Sequence, residues 1–234
     1  MRALLVALAL AAFAAGAHAA EGGYRLDRSP HDPSDLISLQ AGARIYVNYC
    51  LGCHGMQYMR YSRLTDLGLT EAQIRDHLMF TAERVGDTMR IPMEQRAARQ
   101  WFGVAPPDLS VVSRSRGPDW LYTFLRTFYR DPATPTGWNN AVFPNVAMPH
   151  ALWRLQGERA YDPAKQQWTD ISAGALSGVE YDMAMRDLVN FIAYVGEPAA
   201  QRRKVIGVVV LLVIVFVLFP LAYLLKKEYW KDVK

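Results

Sequence analysis

The chain has little cysteine, little strand patterning and no internal repeat. Its 234 residues include two cysteines. That is too few for a disulfide framework, and a structural zinc site, which takes four ligands, would need others from elsewhere. Alternation of apolar and polar residues is weak throughout, which argues against a sheet-based domain. A basic surface is also missing. The whole chain carries a formal charge of +4, but residues 21–201 hold 18 Arg and Lys against 20 Asp and Glu, a net of −2. The basic excess lies outside that stretch, so nucleic acid is not expected as a partner.

Two long apolar runs are present. Residues 1–20 read as an export signal: Arg2 opens it, Ala3 to Ala15 are apolar, and Ala17-His18-Ala19 gives a small-x-small cleavage pattern. The second run, Val205 to Leu225, has 21 residues and no charge. At 1.5 Å per residue it spans about 30 Å, the thickness of a bilayer core. Arg202, Arg203 and Lys204 precede it, Lys226 and Lys227 follow, and Tyr223 and Trp230 suit the interface. Pro220 is expected to bend it. The predicted organisation is a signal peptide at 1–20, an exported domain at 21–201, a transmembrane anchor at 205–225 and a tail at 226–234 on the opposite side.

Within the exported domain, residues 21–36 read as an extended lead-in. A helix is predicted over 36–50, with Leu39, Ala43, Tyr46 and Val47 at helical spacing. One or two short helices follow within 70–100, with Thr70 as an N-cap and Pro92 near a helix start. "PDWLYTFLRTFYR" reads as helical, with Trp120, Phe124 and Phe128 on one side. Residues 131–150 hold four prolines and read as a functional loop. Residues 157–178 suit a small hairpin. A last helix carries Leu188, Phe191, Ile192 and Val195 and ends at Gly196 and Pro198. The domain is expected to be mainly α.

The two cysteines stand in "CLGCHG", as Cys50, Cys53 and the adjacent His54. Cys-x-x-Cys-His is the attachment pattern for c-type haem. Two thiols add across the porphyrin vinyl groups, and the next histidine is held beneath the iron as an axial ligand. Covalent tethering suits an exported protein, from which a dissociated cofactor would be lost. The alternative is a redox dithiol of thioredoxin type, which calls for a βαβ pattern around the motif; here a helix precedes it. Gly42 and Tyr46 before the motif, with Leu188 and Phe191 near the domain's end, resemble the crossed terminal helices of class I cytochromes c.

An electron carrier needs a sixth iron ligand. Met56 and Met59 are too close to the motif to reach the far face, and Met183 and Met185 read as core filler on a helix. Met148, in "FPNVAMPH", is the first choice, and His150 is the competitor two residues on. His/Met ligation raises the potential. A haem enzyme or gas sensor with an open sixth site is the alternative from another class.

The segments "CLGCHGMQYMRY", "APPDLSVVSRSRG", "FPNVAMPHALW" and a single anchor ending "PLAYLLKKEYWK" resemble the cytochrome c1 family, the haem subunits of quinol–cytochrome c reductase (cytochrome bc1) complexes. The likeness covers nearly all of the mature chain, although the second cysteine pair of some members is missing. It implies one covalent haem c bound by Cys50 and Cys53, with His54 and Met148 as iron ligands. It also implies Arg116 at a haem propionate, Pro106 and Pro107 against the histidine side, and Tyr122 as a nearby aromatic. A Pro-loop carbonyl would take the other ring N–H of His54. The implied role is non-catalytic electron transfer in a respiratory chain, from a Rieske iron–sulfur subunit to a cytochrome c, beside a cytochrome b subunit. The implied place is a bacterial inner membrane, with the haem domain in the periplasm. The rival within electron transfer is the anchored cytochrome c of a terminal oxidase or nitric oxide reductase. Six acids between 157 and 187 would offer a steering patch or merely a solvated surface.

Overall fold

A computed structural model describes residues 23–232. The predicted signal lies outside the described residues. The chain enters without regular structure and turns into α1, Leu36–Ile45, whose N-cap Asp35 accepts from the Ser38 amide. This helix widens into a π-turn, Tyr46–Cys50, at the motif. Strand β1 (Met56–Arg60) pairs antiparallel with β2 (Thr88–Met89) around a 3₁₀ turn and α2, Glu71–His77. Thr70 caps α2 in a reciprocal capping box with Gln73.

Next come α3 (Gln95–Phe102), α4 (Val112–Ser115) and α5 (Pro118–Arg126). Pro92 therefore precedes α3 rather than opening it, and Glu94 is the N-cap. The predicted helix through 130 is also too long. It stops at Thr127, and Phe128–Arg130 becomes β3, paired with β4, Trp138–Asn140. The Thr127 hydroxyl turns back onto the Thr123 carbonyl at 2.8 Å and helps close the last turn. Trp120, Phe124 and Phe128 still line up, with ring centres 4.8 and 5.0 Å apart along the row.

A short α6, Trp153–Gln156, leads into the predicted hairpin, β5 (Gly157–Asp162) against β6 (Gln167–Ala173). Helix α7, Gly178–Gly196, follows a second capping box, Ser177 with Glu180. The architecture is thus mainly α with long loops and three two-stranded sheets among the described residues.

The core forms where α1 crosses α7. A methyl group on Gly42 would run into the Asp187 carbonyl and lie 2.7 Å from Phe191 Cβ, so the two backbones meet only because residue 42 has no side chain. The Tyr46 and Phe191 rings pack 5.7 Å apart just beyond. Leu188, Val189, Phe191 and Ile192 are all buried here. At about 1.5–3 kcal/mol each, they outweigh any single hydrogen bond at the crossing. Ser38 and Asn190 tie its edge: Ser38 Oγ donates to Asp187 at 2.7 Å, and Asn190 Nδ2 donates to the Asp32 carbonyl at 2.7 Å.

The last helix among the described residues, Ala200–Tyr229, holds an 18-residue stretch of mean hydropathy 3.3 with no buried residue. Its 30 residues cover about 45 Å, enough to cross a bilayer with a turn to spare at each end. Just before Pro220, residues Ile214–Leu218 form a π-turn. The looser register accommodates a residue that cannot donate its own backbone hydrogen bond.

The acidic stretch is largely neutralised. Glu158 pairs with Arg130, Asp182 with Arg126, Asp187 with Arg186 and Asp162 with Lys165, while Glu180 caps α7. Five of the six acids are thus engaged, four of them in ion pairs.

Candidate functional site

The motif is folded tightly on itself. The π-turn closes with Leu51 N–H donating to the Tyr46 carbonyl at 2.9 Å, and the Cys53 and His54 amides both donate to the Cys50 carbonyl, at 3.0 and 2.8 Å. The Tyr46 hydroxyl donates to the His54 carbonyl at 2.7 Å. The helix that carries the crossing glycine therefore also fixes the far end of the motif.

The His54 ring is oriented by the Pro-Pro loop. Its Nδ1 lies 2.8 Å from the Pro107 carbonyl. A carbonyl can only accept, so Nδ1 carries the proton and Nε2 keeps its lone pair for a metal. Three further bonds lace the loop to the residues after the motif, and one braces the loop internally. Leu109 N–H donates to the Gly55 carbonyl (2.8 Å), Gln57 N–H to Asp108 Oδ2 (2.8 Å), Ser110 N–H to Asp108 Oδ1 (2.9 Å), and Tyr58 N–H to Ser110 Oγ (3.1 Å). Pro106 and Pro107 stiffen the approach by fixing φ. Asp108 and Ser110 had no role in the sequence reading; their contribution is tertiary.

The electrostatics suit a neutral ligand rather than a reactive dithiol. Burial holds the His54 imidazole below its ordinary value, against the opposing pull of the Pro107 hydrogen bond and Asp108. Burial pushes the Cys50 thiol up to about 12 and raises Cys53 as well. A redox dithiol depends on a depressed thiol, so this site is poorly made for that chemistry. No parallel pair surrounds the motif among the described residues, since all three sheets are antiparallel.

Met148 is half-buried and packs against the same core as Cys50. The loop that presents it begins with two buried asparagines at the end of β4. Asn140 Oδ1 accepts from the Val142 and Phe143 amides at 2.9 and 3.1 Å and from the Thr127 hydroxyl at 3.3 Å. Its Nδ2 donates to the Phe124 carbonyl in the last turn of α5 at 2.8 Å. Asn139 Oδ1 accepts from the Asn145 amide at 2.8 Å, where the backbone takes a φ of 62°. These asparagines were absent from the sequence reading; an Asn-Asn pair entering a Pro-rich loop was the available signal.

His150 is 2% exposed. It stacks on Phe128 with ring centres 4.8 Å apart and meets Trp138 edge-on at 5.0 Å. Burial pushes it down to about 3, with Arg159 and Arg130 adding to the shift and Gln156 opposing it. The His150 Nε2 is buried without a hydrogen-bond partner among the described residues.

Arg116 and Tyr122 do not come together. The Arg116 guanidinium lies 5.2 Å from the Trp120 ring centre and 5.8 Å from that of Phe143, the first aromatic of the methionine loop. Trp120 Nε1 is buried there without a hydrogen-bond partner among the described residues. A cation beside an unanswered N–H donor suits a carboxylate. Tyr122 instead lies beneath Arg126, 4.5 Å from its guanidinium, which in turn bridges Asp27 and Asp182. Trp120, not Tyr122, is the aromatic beside Arg116. The residues therefore fit a covalently held porphyrin: two cysteines, an oriented histidine, a methionine on the same core, and a donor corner for a propionate.

Comparison with known proteins agrees. Residues 28–233 match the model of the cytochrome C1 family. The chain is 46% identical, over 244 aligned positions covering 100% of both chains, to a protein of Allochromatium vinosum named cytochrome c1. It is 47% identical over 230 positions to a Nitrosomonas europaea protein named ammonia monooxygenase gamma subunit, covering 98% of this chain and 97% of that one. The cytochrome c1 of Rhodospirillum rubrum is 27% identical over 274 positions, covering 100% of this chain and 97% of its own.

Proposed function

The chain belongs to the cytochrome c1 family, and on that premise we propose that it carries one haem c that receives electrons from a Rieske iron–sulfur subunit and passes them to a cytochrome c. Members of the family are non-catalytic electron carriers of bc1-type complexes, and the role of this chain is electron transfer of that kind. The one long apolar helix among the described residues, with the family likeness, makes it a single-pass inner-membrane protein with a periplasmic globular domain. The proposed division is a signal at 1–20, a periplasmic domain at 21–201, an anchor at 205–225 and a cytoplasmic tail at 226–234.

In this reading Cys50 and Cys53 bond the haem, His54 and Met148 bind its iron, and Arg116 pairs with a propionate. Pro107 orients His54, with Pro106 stiffening the loop. Tyr122 is an aromatic near the haem, with the Arg126 guanidinium 4.5 Å from its ring centre. The bound group supplies a one-electron couple; the chain supplies its position, its exclusion of water and its potential. The observation that carries the proposal is the 2.8 Å bond from His54 Nδ1 to the Pro107 carbonyl, which leaves Nε2 free at the end of a Cys-x-x-Cys-His motif.

The test is gentle detergent extraction, followed by intact-mass and absorption measurements and identification of co-purifying subunits. A haem-sized mass addition, with a cytochrome b and an iron–sulfur protein, is expected. A colourless protein whose two thiols alkylate freely would overturn the cofactor assignment. Co-purification with subunits of an ammonia-oxidising enzyme instead, as the name of the Nitrosomonas europaea relative suggests for that protein, would overturn the partner assignment.

A further inference from the structure

We infer that Asn140 is the positioning residue for the sixth ligand: its buried carboxamide holds the loop that brings Met148 to the iron. The inference rests on the haem reading above and deepens it. Asn140 is fully buried, and its two polar atoms bond to two separate pieces of chain. One is the end of α5, where Nδ2 donates to the Phe124 carbonyl at 2.8 Å, adding to the longer 3.3 Å bond that this carbonyl accepts from the Thr127 amide. The Thr127 hydroxyl lies 3.3 Å from Oδ1 at the same junction with β3. The other is the start of the methionine loop, where Oδ1 gathers two successive amides, Val142 and Phe143. Asn140 thus ties the helix that carries Trp120 to the loop that carries Met148. Asn139 extends the clamp by three residues, through the Asn145 amide, and is itself held by Asp131 at 2.8 Å.

No other side chain in the loop duplicates this clamp. Between 141 and 149 the residues are Ala, Val, Phe, Pro, Asn, Val, Ala, Met and Pro, and the loop's path is set largely from its entrance. A thioether is a weak, neutral ligand, and it stays on iron only if the chain delivers it at little cost in ordering. Removing the carboxamide would also leave the buried Val142 and Phe143 amides without their acceptor.

The test uses the full-length holoprotein in detergent. It compares Asn140→Ala, Asn140→Asp, Thr127→Val and Met148→Ala with the unaltered chain. Carbon monoxide is the probe, because it binds ferrous haem only where the sixth position opens. Asn140→Ala is expected to bind it at least tenfold faster and to lose most of the methionine-to-iron absorption in the oxidised form, at a temperature well below its melting point. Asn140→Asp keeps the acceptor oxygen but loses the donor to Phe124, and is expected to fall between. Thr127→Val removes one peripheral contact and should move the rate by less than threefold; it remains usable if the alanine variant fails to fold. Unchanged carbon monoxide binding in folded Asn140→Ala or Asn140→Asp, while Met148→Ala opens the site, would overturn the positioning role. Unchanged binding in Met148→Ala itself would instead overturn the ligand assignment on which it rests.

Discussion

The two sides of the site are built on different plans. On the histidine side the proposed ligand is adjacent to its proposed anchor points, Cys50 and Cys53, and a stiff proline loop is laced to this segment by four hydrogen bonds of 2.8–3.1 Å. On the methionine side nothing adjacent in sequence holds Met148. Its loop hangs from two buried amides at the loop's entrance. One side is over-determined; the other depends on a single clamp. Perturbation should therefore separate them, and the sign of the effect on potential should differ. A hydrogen bond to the outer nitrogen of a ligating histidine raises its basicity and favours the oxidised metal. Methionine ligation favours the reduced one. Loosening the histidine side should raise the potential, and loosening the methionine side should lower it.

The largest effect is expected from His54→Ala. It removes the ligand and leaves the Pro107 carbonyl without the donor it meets at 2.8 Å. The prediction is loss of the low-spin spectrum and a potential displaced by a few tenths of a volt, within the ~0.8 V range that axial ligands set. Haem should stay attached through the cysteines. A low-spin protein with its potential intact would show that His54 is not the ligand, and the contrast between the two sides would fail with it.

Asp108→Ala probes the lacing without touching a ligand. Its carboxylate accepts from the Gln57 and Ser110 amides at 2.8 and 2.9 Å. Hydrogen bonds to charged groups contribute about 1.5–3 kcal/mol each, but Gln57 is exposed and water can replace its bond. The expected loss is about 2 kcal/mol by urea unfolding. The potential should rise slightly, because the Pro107 carbonyl is no longer held against Nδ1. A fall in potential would contradict the proposed division of labour.

The histidine side was legible in the sequence because its chemistry is local. The motif, the Pro-Pro dipeptide and the glycine eight residues before Cys50 all sit at fixed spacings. The crossing of α1 and α7 could be read from Gly42, Tyr46, Leu188 and Phe191 for the same reason. The methionine side was legible only as far as naming Met148. Asn139 and Asn140 look like ordinary turn residues, and their work lies in bonds to Phe124, Thr127 and Asp131, which only the fold brings near. Phe128 was misread because aromatics spaced by four suit a helix, while the chain had already left helical geometry at Thr127. The acids of 157–187 were visible as charges, but their partners were not.

Those partners suggest the smallest and most selective test. Glu158 holds Arg130 by two hydrogen bonds, at 2.6 and 3.0 Å, and the Arg130 guanidinium lies 4.0 Å from the centre of the Trp138 ring, which packs on His150. The pair thus reaches the back of the methionine loop and not the histidine side. The Arg130 hydrogen bond holds the Glu158 carboxyl below its ordinary value of 4.5. A group lowered on folding stabilises the protein above its unfolded pKa, and that contribution is lost as pH falls through the folded pKa. Acid should therefore loosen the methionine side through Glu158 only below the usual carboxylate range. The pair is solvent-exposed in part, so the effect on stability should be small and weaker in high salt. Glu158→Gln should flatten the acid limb of the urea midpoint below the ordinary carboxylate value of 4.5 and leave the neutral limb slightly lower. If the variant instead altered the potential at pH 7 as strongly as Asp108→Ala does, the hairpin would be coupled to the iron far more tightly than its contacts imply.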